Sequence, residues 1–243
     1  MKPTPKSPLH PPTILAFGAH PDDIEFGCGG VIARETQAGS RAHFVVCSRG
    51  ESGTNGTPAQ RTAEAKAGAK LLGASLEFID LGGDARMEAR VPHTMRLAKI
   101  IRRLRPTIVL APTTVENQHP DHVAVGRMVR DAARIARFGG VKELVRLAPH
   151  AIALLCFYAI TVEAEPRDRS PILIDVSSSA DLWLQAMEAH KSQMRTRRYS
   201  DLQTARASVN GQRCGVSMAI PLFPSDPLCF SSLANLGRTA RQF

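Results

Sequence analysis

The sequence contains no apolar run long enough to cross a membrane as a helix. The short apolar segment after the proline-rich start does not fit a secretory signal, because prolines precede it and charged residues follow it. The five cysteines are odd in number and show neither a disulfide framework nor the paired spacing of a structural zinc site. These absences argue against a membrane-spanning protein and a disulfide-stabilised secreted domain, and they favour a reducing, cytoplasmic setting.

The composition is that of a globular chain with a sizeable core. Of its 243 residues, 43% are hydrophobic and 22% are charged, which suffices for one large α/β domain or two small ones. The net charge of +9 is spread over several segments and favours anionic partners without determining the fold. We predict a flexible tail over residues 1–12, where five prolines occur, and a single domain over residues 13–243, with residues 215–243 unassigned.

Apolar runs alternate with helix signals along the chain, and no internal repeat is visible. The predicted strands are residues 13–18, 41–48, 75–81, 107–111, 151–158 and 171–176. The predicted helices are residues 29–38, 59–72, 92–104, 120–138 and 180–194. This βαβ alternation predicts an α/β fold with a Rossmann-like, mostly parallel sheet and helices on both faces.

The stretch Ala19-His-Pro-Asp-Asp23 follows directly on the first predicted strand. His20, Asp22 and Asp23 should therefore lie just past the carboxyl end of a buried strand, where open α/β sheets bind ligands. One imidazole and two carboxylates crowded into four residues are costly to hold together unless something binds them, and a divalent cation would do so. In a tight turn, one of the two neighbouring carboxylates can bind the metal while the other faces a bound water.

A second polar motif, His119-Pro-Asp-His122, follows the fourth predicted strand. With His119 as N-cap, Pro120 is the first helical residue, where its missing N–H costs nothing. Asp121 and His122 then lie in the first turn, whose positive end favours a neutral imidazole that can coordinate metal. We expect His119 to face the reacting carbonyl, braced by Asp121 and protonated at neutral pH through that pairing.

Taken together, His20, Asp23 and His122 offer two nitrogens and one oxygen, the ligand set of a catalytic zinc that keeps a position for water. The two motifs, about a hundred residues apart and with a glycine-rich sequence after the first, resemble those of the PIG-L/LmbE-like de-N-acetylases. The resemblance covers residues 13–194. It implies a zinc hydrolase that acts on N-acetylglucosaminyl compounds.

The resemblance also implies roles for individual residues. It makes His20, Asp23 and His122 ligands of Zn²⁺, or of another divalent transition metal such as Fe²⁺. It makes Asp22 the base that activates water. It makes His119 the group that stabilises the oxyanion or protonates the leaving amine, with Asp121 orienting it.

Two further residues are candidates for contact with the substrate. The loop from Arg49 to Arg61 resembles the family's Gly-Glu-x-Gly-x-Asn-Gly substrate loop, which implies that Arg61 contacts the substrate or product. Asp84, in a strand-exit loop, could face the sugar or serve as an ordinary turn residue. Near the C-terminus, residues 215–220 lack the tyrosine and glutamate that bacillithiol-type relatives carry, so the aglycone stays open.

Simpler interpretations stand beside these. Asp22 and Asp23 could be turn and N-cap residues, Asp121 could only complement the helix dipole, and Arg61 could be a solvated helix residue. We interpret the basic segment 191–213 as a solvated face rather than a nucleic-acid site.

The leading hypothesis for function is removal of an acetyl group from an N-acetylated amino sugar. The alternatives are a metal-dependent amidase or phosphoesterase acting on another small molecule, and a basic binding module with a structural metal. We predict no nucleic-acid partner, and the sequence leaves open whether identical chains assemble.

Overall fold

Seven strands form one sheet within residues 11–116, 119–235 and 237, the part of the chain that this computed structural model describes. They are β1 (Thr13–Gly18), β2 (Arg41–Val46), β3 (Ala74–Phe78), β4 (Ile108–Pro112), β5 (Leu154–Tyr158), β6 (Ile172–Asp175) and β7 (Ala219–Pro224). The strand order is β3-β2-β1-β4-β5-β7-β6, and the first five strands are parallel. Residues 1–10 of the predicted tail and residues 236 and 238–243 lie outside the described part.

Six α-helices cover the sheet in the described part of the chain. They are α1 (Asp23–Gln37), α2 (Pro58–Leu71), α3 (Val91–Leu104), α4 (Pro120–Ile135), α5 (Ala180–Glu188) and α6 (Tyr199–Cys214). Side chains of β1 alternate between two cores, so that Leu15 and Phe17 pack against α3 and α4, while Ile14 packs with α1 and α5 on the other face. The predicted α/β class, with a mostly parallel sheet and helices on both faces, is confirmed.

The predicted start of the first helix is wrong by six residues, because the glycines after the motif are helical rather than a turn. The helix α1 begins at Asp23, and Gly27 lies inside it. A Cβ atom at Gly27 would sit 2.1 Å from the ring of Tyr158, so the residue allows α1 to press against β5. The Tyr158 hydroxyl donates to the carbonyl of Phe17, at 2.7 Å, across the same contact.

The C-terminal third departs most from the predicted elements. The predicted helix 180–194 ends at Glu188. The second part of the basic segment 191–213 forms a separate helix, α6. The unassigned stretch after residue 215 contains β7, which runs antiparallel between β5 and β6. No helix in the described residues is both long and apolar enough to span a membrane.

A buried arginine fixes the connection that leads from α4 to β5. Arg102 is only 2% exposed, and its guanidinium donates to four backbone carbonyls in this connection. The acceptors are Ala136 at 3.0 Å, Leu144 at 2.8 Å, Leu147 at 2.8 Å and Phe138 at 2.6 Å. The charge is thus satisfied by carbonyl dipoles alone.

We predict that Arg102→Met lowers the free energy of unfolding by about 3 kcal/mol, because buried carbonyls lose a charged donor. The neighbouring Arg103 is 49% exposed and pairs with Glu77 at the surface. Arg103→Met should therefore change stability by less than about 0.5 kcal/mol. Urea unfolding of both variants checks the difference, and equal losses would contradict this role of Arg102.

Candidate active site

The two polar motifs meet because the strands that precede them are neighbours. β1 and β4 pair in parallel, so the residues after each strand emerge at the same edge of the sheet. His20 and Asp23 follow β1, while His119 and His122 lie at the start of α4, after β4. The convergence that the sequence predicts is present.

Three donor atoms lie close together at the bottom of a pocket. His20 Nδ1 is 3.2 Å from His122 Nε2, which is 3.0 Å from Asp23 Oδ1. His20 Nδ1 is also 3.7 Å from Asp23 Oδ2, and all three residues are buried. A tetrahedral zinc with bonds near 2.1 Å would separate its ligand atoms by about 3.4 Å. The three residues therefore form a group that could hold a metal ion.

Backbone amides orient the carboxylate of Asp23. The N–H groups of Ala19 and His20 both donate to Asp23 Oδ2, at 2.7 and 2.9 Å. Oδ1 is left to face His122. Burial alone would raise the pKa of Asp23, but the charges and hydrogen bonds of His122 and His20 hold it well below its usual value. The Asp23 carboxylate is thus ionised, and its Oδ1 atom faces His122.

The second nitrogen of His20 faces two carboxylates. Its Nε2 lies 3.0 Å from Asp84 Oδ1 and 3.2 Å from Asp121 Oδ2. Burial alone would lower the pKa of His20, but Asp23 and the hydrogen bonds to these carboxylates raise it to about 12. A carboxylate behind the imidazole also fixes the ring orientation of metal-binding histidines. Asp84, a candidate for sugar contact, therefore faces a predicted ligand as well as the pocket.

Asp121 contacts His119 mainly through its backbone, which differs from the expected side-chain pairing. Its carboxylate lies 3.9 Å from His119 Nδ1, because its oxygens accept from the N–H groups of Ala85 and Met87 and face His20. Nδ1 of His119 instead accepts from the backbone N–H of Asp121 at 3.3 Å, as an N-cap. Burial and the charge of His20 lower the pKa of His119, so the expected imidazolium is not supported.

Asp22 has an unusual backbone conformation. Its φ of 119° and ψ of −25° lie outside the regions that residues with a side chain prefer. Holding such a conformation costs about 1–3 kcal/mol and points to a constraint from the surroundings. Burial and Asp23 raise the pKa of Asp22 to about 6, against the opposing charge of Arg61. Asp22 lines the same pocket as the three donors.

Arg61 lies beneath Asp22 rather than on the surface. It is 5% exposed, and its guanidinium donates to the carbonyl of Pro21 at 3.0 Å and to Asp22 Oδ2 at 3.4 Å. A further N–H donates to the carbonyl of Gly50 at 3.4 Å. The interpretation of Arg61 as a solvated helix residue is therefore wrong.

The pocket has a volume of about 380 Å³ and a wall that sequence reasoning missed. Besides the polar floor, the pocket is lined by a group of residues that we call the wall, namely Phe26, Ile160, Thr161, Gln193 and Tyr199. Four of these residues follow β5, in a part of the chain where no motif marks them. The one visible signal is a lone tyrosine among arginines at residues 195–199.

A buried carboxylate of α2 fixes this wall. Glu64 accepts from the N–H of Ser192 at 2.9 Å and from its hydroxyl at 2.6 Å. The adjacent Gln193 donates to the carbonyl of Asn55 at 2.9 Å. The segment that follows α5 is thereby tied to the glycine-rich loop before α2.

Comparison with known proteins places this arrangement in a family. Residues 15–133 match the family model described as GlcNAc-PI de-N-acetylase, PIG-L. This range contains all eight residues that the sequence predicts for the site. A solved structure, a conserved protein from Thermus thermophilus, aligns with a TM-score of 0.81 at 28% identity. That alignment covers 92% of this chain and 99% of that one.

Named relatives carry more than one activity. A 4-oxalmesaconate hydratase from Pseudomonas putida is 34% identical over 142 aligned residues, which cover 54% of this chain and 55% of the hydratase. A diacetylchitobiose deacetylase from Thermococcus kodakarensis is 27% identical over 197 residues, which cover 74% of this chain and 69% of the relative. The chain thus matches only about half the length of the hydratase.

The motifs, the sheet and the matched range agree with one another. Both polar motifs lie within the range of the family model, and they meet at the sheet edge as the family resemblance implies. Residues 15–133 of the chain belong to the PIG-L/LmbE-like de-N-acetylase family.

Proposed function

We propose that the protein hydrolyses the amide bond of an N-acetylated amino sugar and releases acetate and a free amine. The observation that carries the proposal is the convergence of His20 Nδ1, His122 Nε2 and Asp23 Oδ1 in the pocket that Asp22 also lines. Membership of a family that includes a diacetylchitobiose deacetylase supports the substrate class.

The donor set fits a catalytic metal, since it combines two imidazoles and one carboxylate and leaves a position for water or substrate. Zn²⁺, or another divalent transition metal such as Fe²⁺, would polarise the acetamide carbonyl and lower the pKa of water. His20, His122 and Asp23 would hold the ion, and Asp84 and Asp121 would orient His20 from behind.

Two side chains on the pocket surface would move the protons. Asp22 accepts the proton of the attacking water and passes it to the leaving nitrogen. Nδ1 of His119 is occupied by the N–H of Asp121, so its neutral ring carries the proton on Nε2. Within the described part of the chain that N–H has no acceptor, and it would donate to the oxygen on which negative charge develops.

The wall of the pocket would receive the sugar. Phe26 and Tyr199 present aromatic rings with centroids 5.7 Å apart, and Gln193 adds an amide. Aromatic faces pack on the apolar face of a pyranose, and an amide can bond its hydroxyl groups.

A second candidate activity is the addition of water to a carbon–carbon double bond. It is favoured by the 34% identity to a 4-oxalmesaconate hydratase and needs the same water-activating carboxylate. The pocket argues against it, because Arg61, the one arginine or lysine among its described lining residues, already bonds Asp22 and two carbonyls. An unsaturated acid with several carboxylates would find few partners there.

The zinc-loaded protein should release primary amine and acetate from N-acetylglucosamine, its disaccharide and its glycosides. The measurement is a fluorogenic amine assay with acetate quantified in parallel. Loss of double-bond absorbance from an unsaturated acid, with no amine formed, would favour the hydratase. Turnover of phosphoesters alone would favour a phosphoesterase.

We predict that Asp22→Asn lowers kcat by about 10²- to 10⁴-fold, because the amide cannot accept the water proton. The metal content should stay at the wild-type level, since Asp22 lies outside the three-donor group. Asp131→Asn, on the surface of α4, is the matched control and should retain activity. A metal-free Asp22→Asn protein would reverse the roles proposed for the two aspartates.

We predict that His122→Ala abolishes both metal binding and turnover, because one of the three donors is removed. Zinc should raise the melting temperature of the wild type by binding only the folded state, and it should not do so for His122→Ala. His93→Ala, which replaces a histidine outside the pocket, should behave as the wild type. Elemental analysis after dialysis measures the metal, and stoichiometric metal in His122→Ala would contradict the ligand set.

A further inference from the structure

Asp22 keeps an unusual conformation at the start of α1, where its carbonyl accepts from the N–H of Phe26 at 2.9 Å. Among the described residues, Asp22, Ala85 and Arg105 are the non-glycine residues with positive φ, and Asp22 at 119° lies farthest from the left-handed helical region. Its side chain makes no capping bond to α1. The carboxylate of Asp22 and the peptide that precedes it must therefore be fixed by contacts outside α1.

Arg61 supplies two contacts that flank the peptide between Pro21 and Asp22. Its Nη2 donates both to the carbonyl of Pro21 at 3.0 Å and to the carboxylate of Asp22 at 3.4 Å. The first contact fixes the plane of the peptide, and the second fixes the side chain that follows it. Both therefore resist rotation of Asp22 to a relaxed φ.

Two glycines of the preceding loop make room for this guanidinium, and a third lies against the aliphatic stem of Arg61. A Cβ atom at Gly50 would lie 2.1 Å from Arg61 Nη1, and one at Gly53 would lie 2.8 Å from the same atom. A Cβ atom at Gly56 would lie 3.2 Å from Arg61 Cγ. With Gly50 also accepting from Nη1, the loop encloses Arg61. The contacts with Arg61 thereby explain the spacing of the glycines in this loop, and contact with a substrate is not needed to explain it.

We propose that Arg61 is a positioning residue, which holds the backbone and carboxylate of Asp22 in place. The glycine-rich loop over residues 50–56 encloses the Arg61 side chain and fixes its position, and we call this loop the seat of Arg61. The assignment of Asp22 as the base rests on the proposed function. The role differs from direct substrate contact, which the family resemblance implies for Arg61. The two roles have different kinetic consequences.

Arg61→Lys tests the proposal, because lysine keeps the charge but its single nitrogen cannot bond Gly50 and also hold the peptide and carboxylate of Asp22. We expect kcat to fall about 100-fold, as misplacement of a reacting group by about 1 Å can do. KM should stay within about threefold of the wild type, and the metal content should not change. Arg34→Lys, on the exposed side of α1, is the control. A higher KM with unchanged kcat would instead show substrate contact and overturn the proposal.

Gly53→Ala tests the seat without altering Arg61. Gly53 has no positive φ, so the substitution itself is tolerated by the backbone, but the new methyl group pushes Nη1 away. We expect kcat to fall about tenfold with KM nearly unchanged. Gly140→Ala is the matched control, because a Cβ atom there meets nothing within 4 Å. Equal activity of the two variants would contradict the seat.

Crystal structures of Arg61→Lys and Gly53→Ala separate this proposal from the proposed function, because they need no substrate. The expected result is that Asp22 leaves positive φ in Arg61→Lys and that its carboxylate turns from the pocket. If Arg61→Lys does not fold, the same displacement is sought in Gly53→Ala. A φ near 119° in the variant that folds would overturn the proposal, even if the enzyme proves to be a hydratase.

Discussion

The buried charge cluster around His20 is what the rest of the site depends on. One imidazole contacts three carboxylates, because Asp84 and Asp121 face its Nε2 and Asp23 lies near its Nδ1. Buried carboxylates are tolerated only when positive charge or N–H donors compensate them. His20, His122 and the amides of Ala85 and Met87 provide that compensation. The loops after β1, β3 and β4 are therefore tied to one another through a single ring.

The sheet explains why the cluster forms where it does. β2 follows β1 on one side, whereas β4 lies on the other side, so the chain reverses direction across the sheet at β1. A crevice opens at such a point, beyond the carboxyl ends of the strands. Helix α4 begins in this crevice, and the side chains of Asp121 and His122 in its first turn join the cluster.

The sequence predicts most of the polar floor and little of the wall. The predicted strand ends and the motif spacing suffice to place His20, Asp23 and His122 together, because residues that follow neighbouring parallel strands lie at the same edge of the sheet. The hydrogen-bond partner of His119 could not be predicted from the sequence. The Asp121 carboxylate instead accepts from the amides of Ala85 and Met87, which lie in a loop distant in sequence, and faces His20. The glycines of α1 resemble a turn in the sequence, because their packing partner Tyr158 lies 131 residues after Gly27.

Four of the five wall residues come from a different part of the chain than the floor, and Phe26 is the exception. This division separates substitutions that change the cavity from substitutions that change the chemistry. All residues of the proposed chemistry lie within residues 15–133, whereas Ile160, Thr161, Gln193 and Tyr199 lie beyond that range. Glu64 joins the two parts through Ser192. Substitutions after residue 133 can reshape the cavity while the reacting groups keep their positions, so one scaffold can acquire new substrates without rebuilding its chemistry.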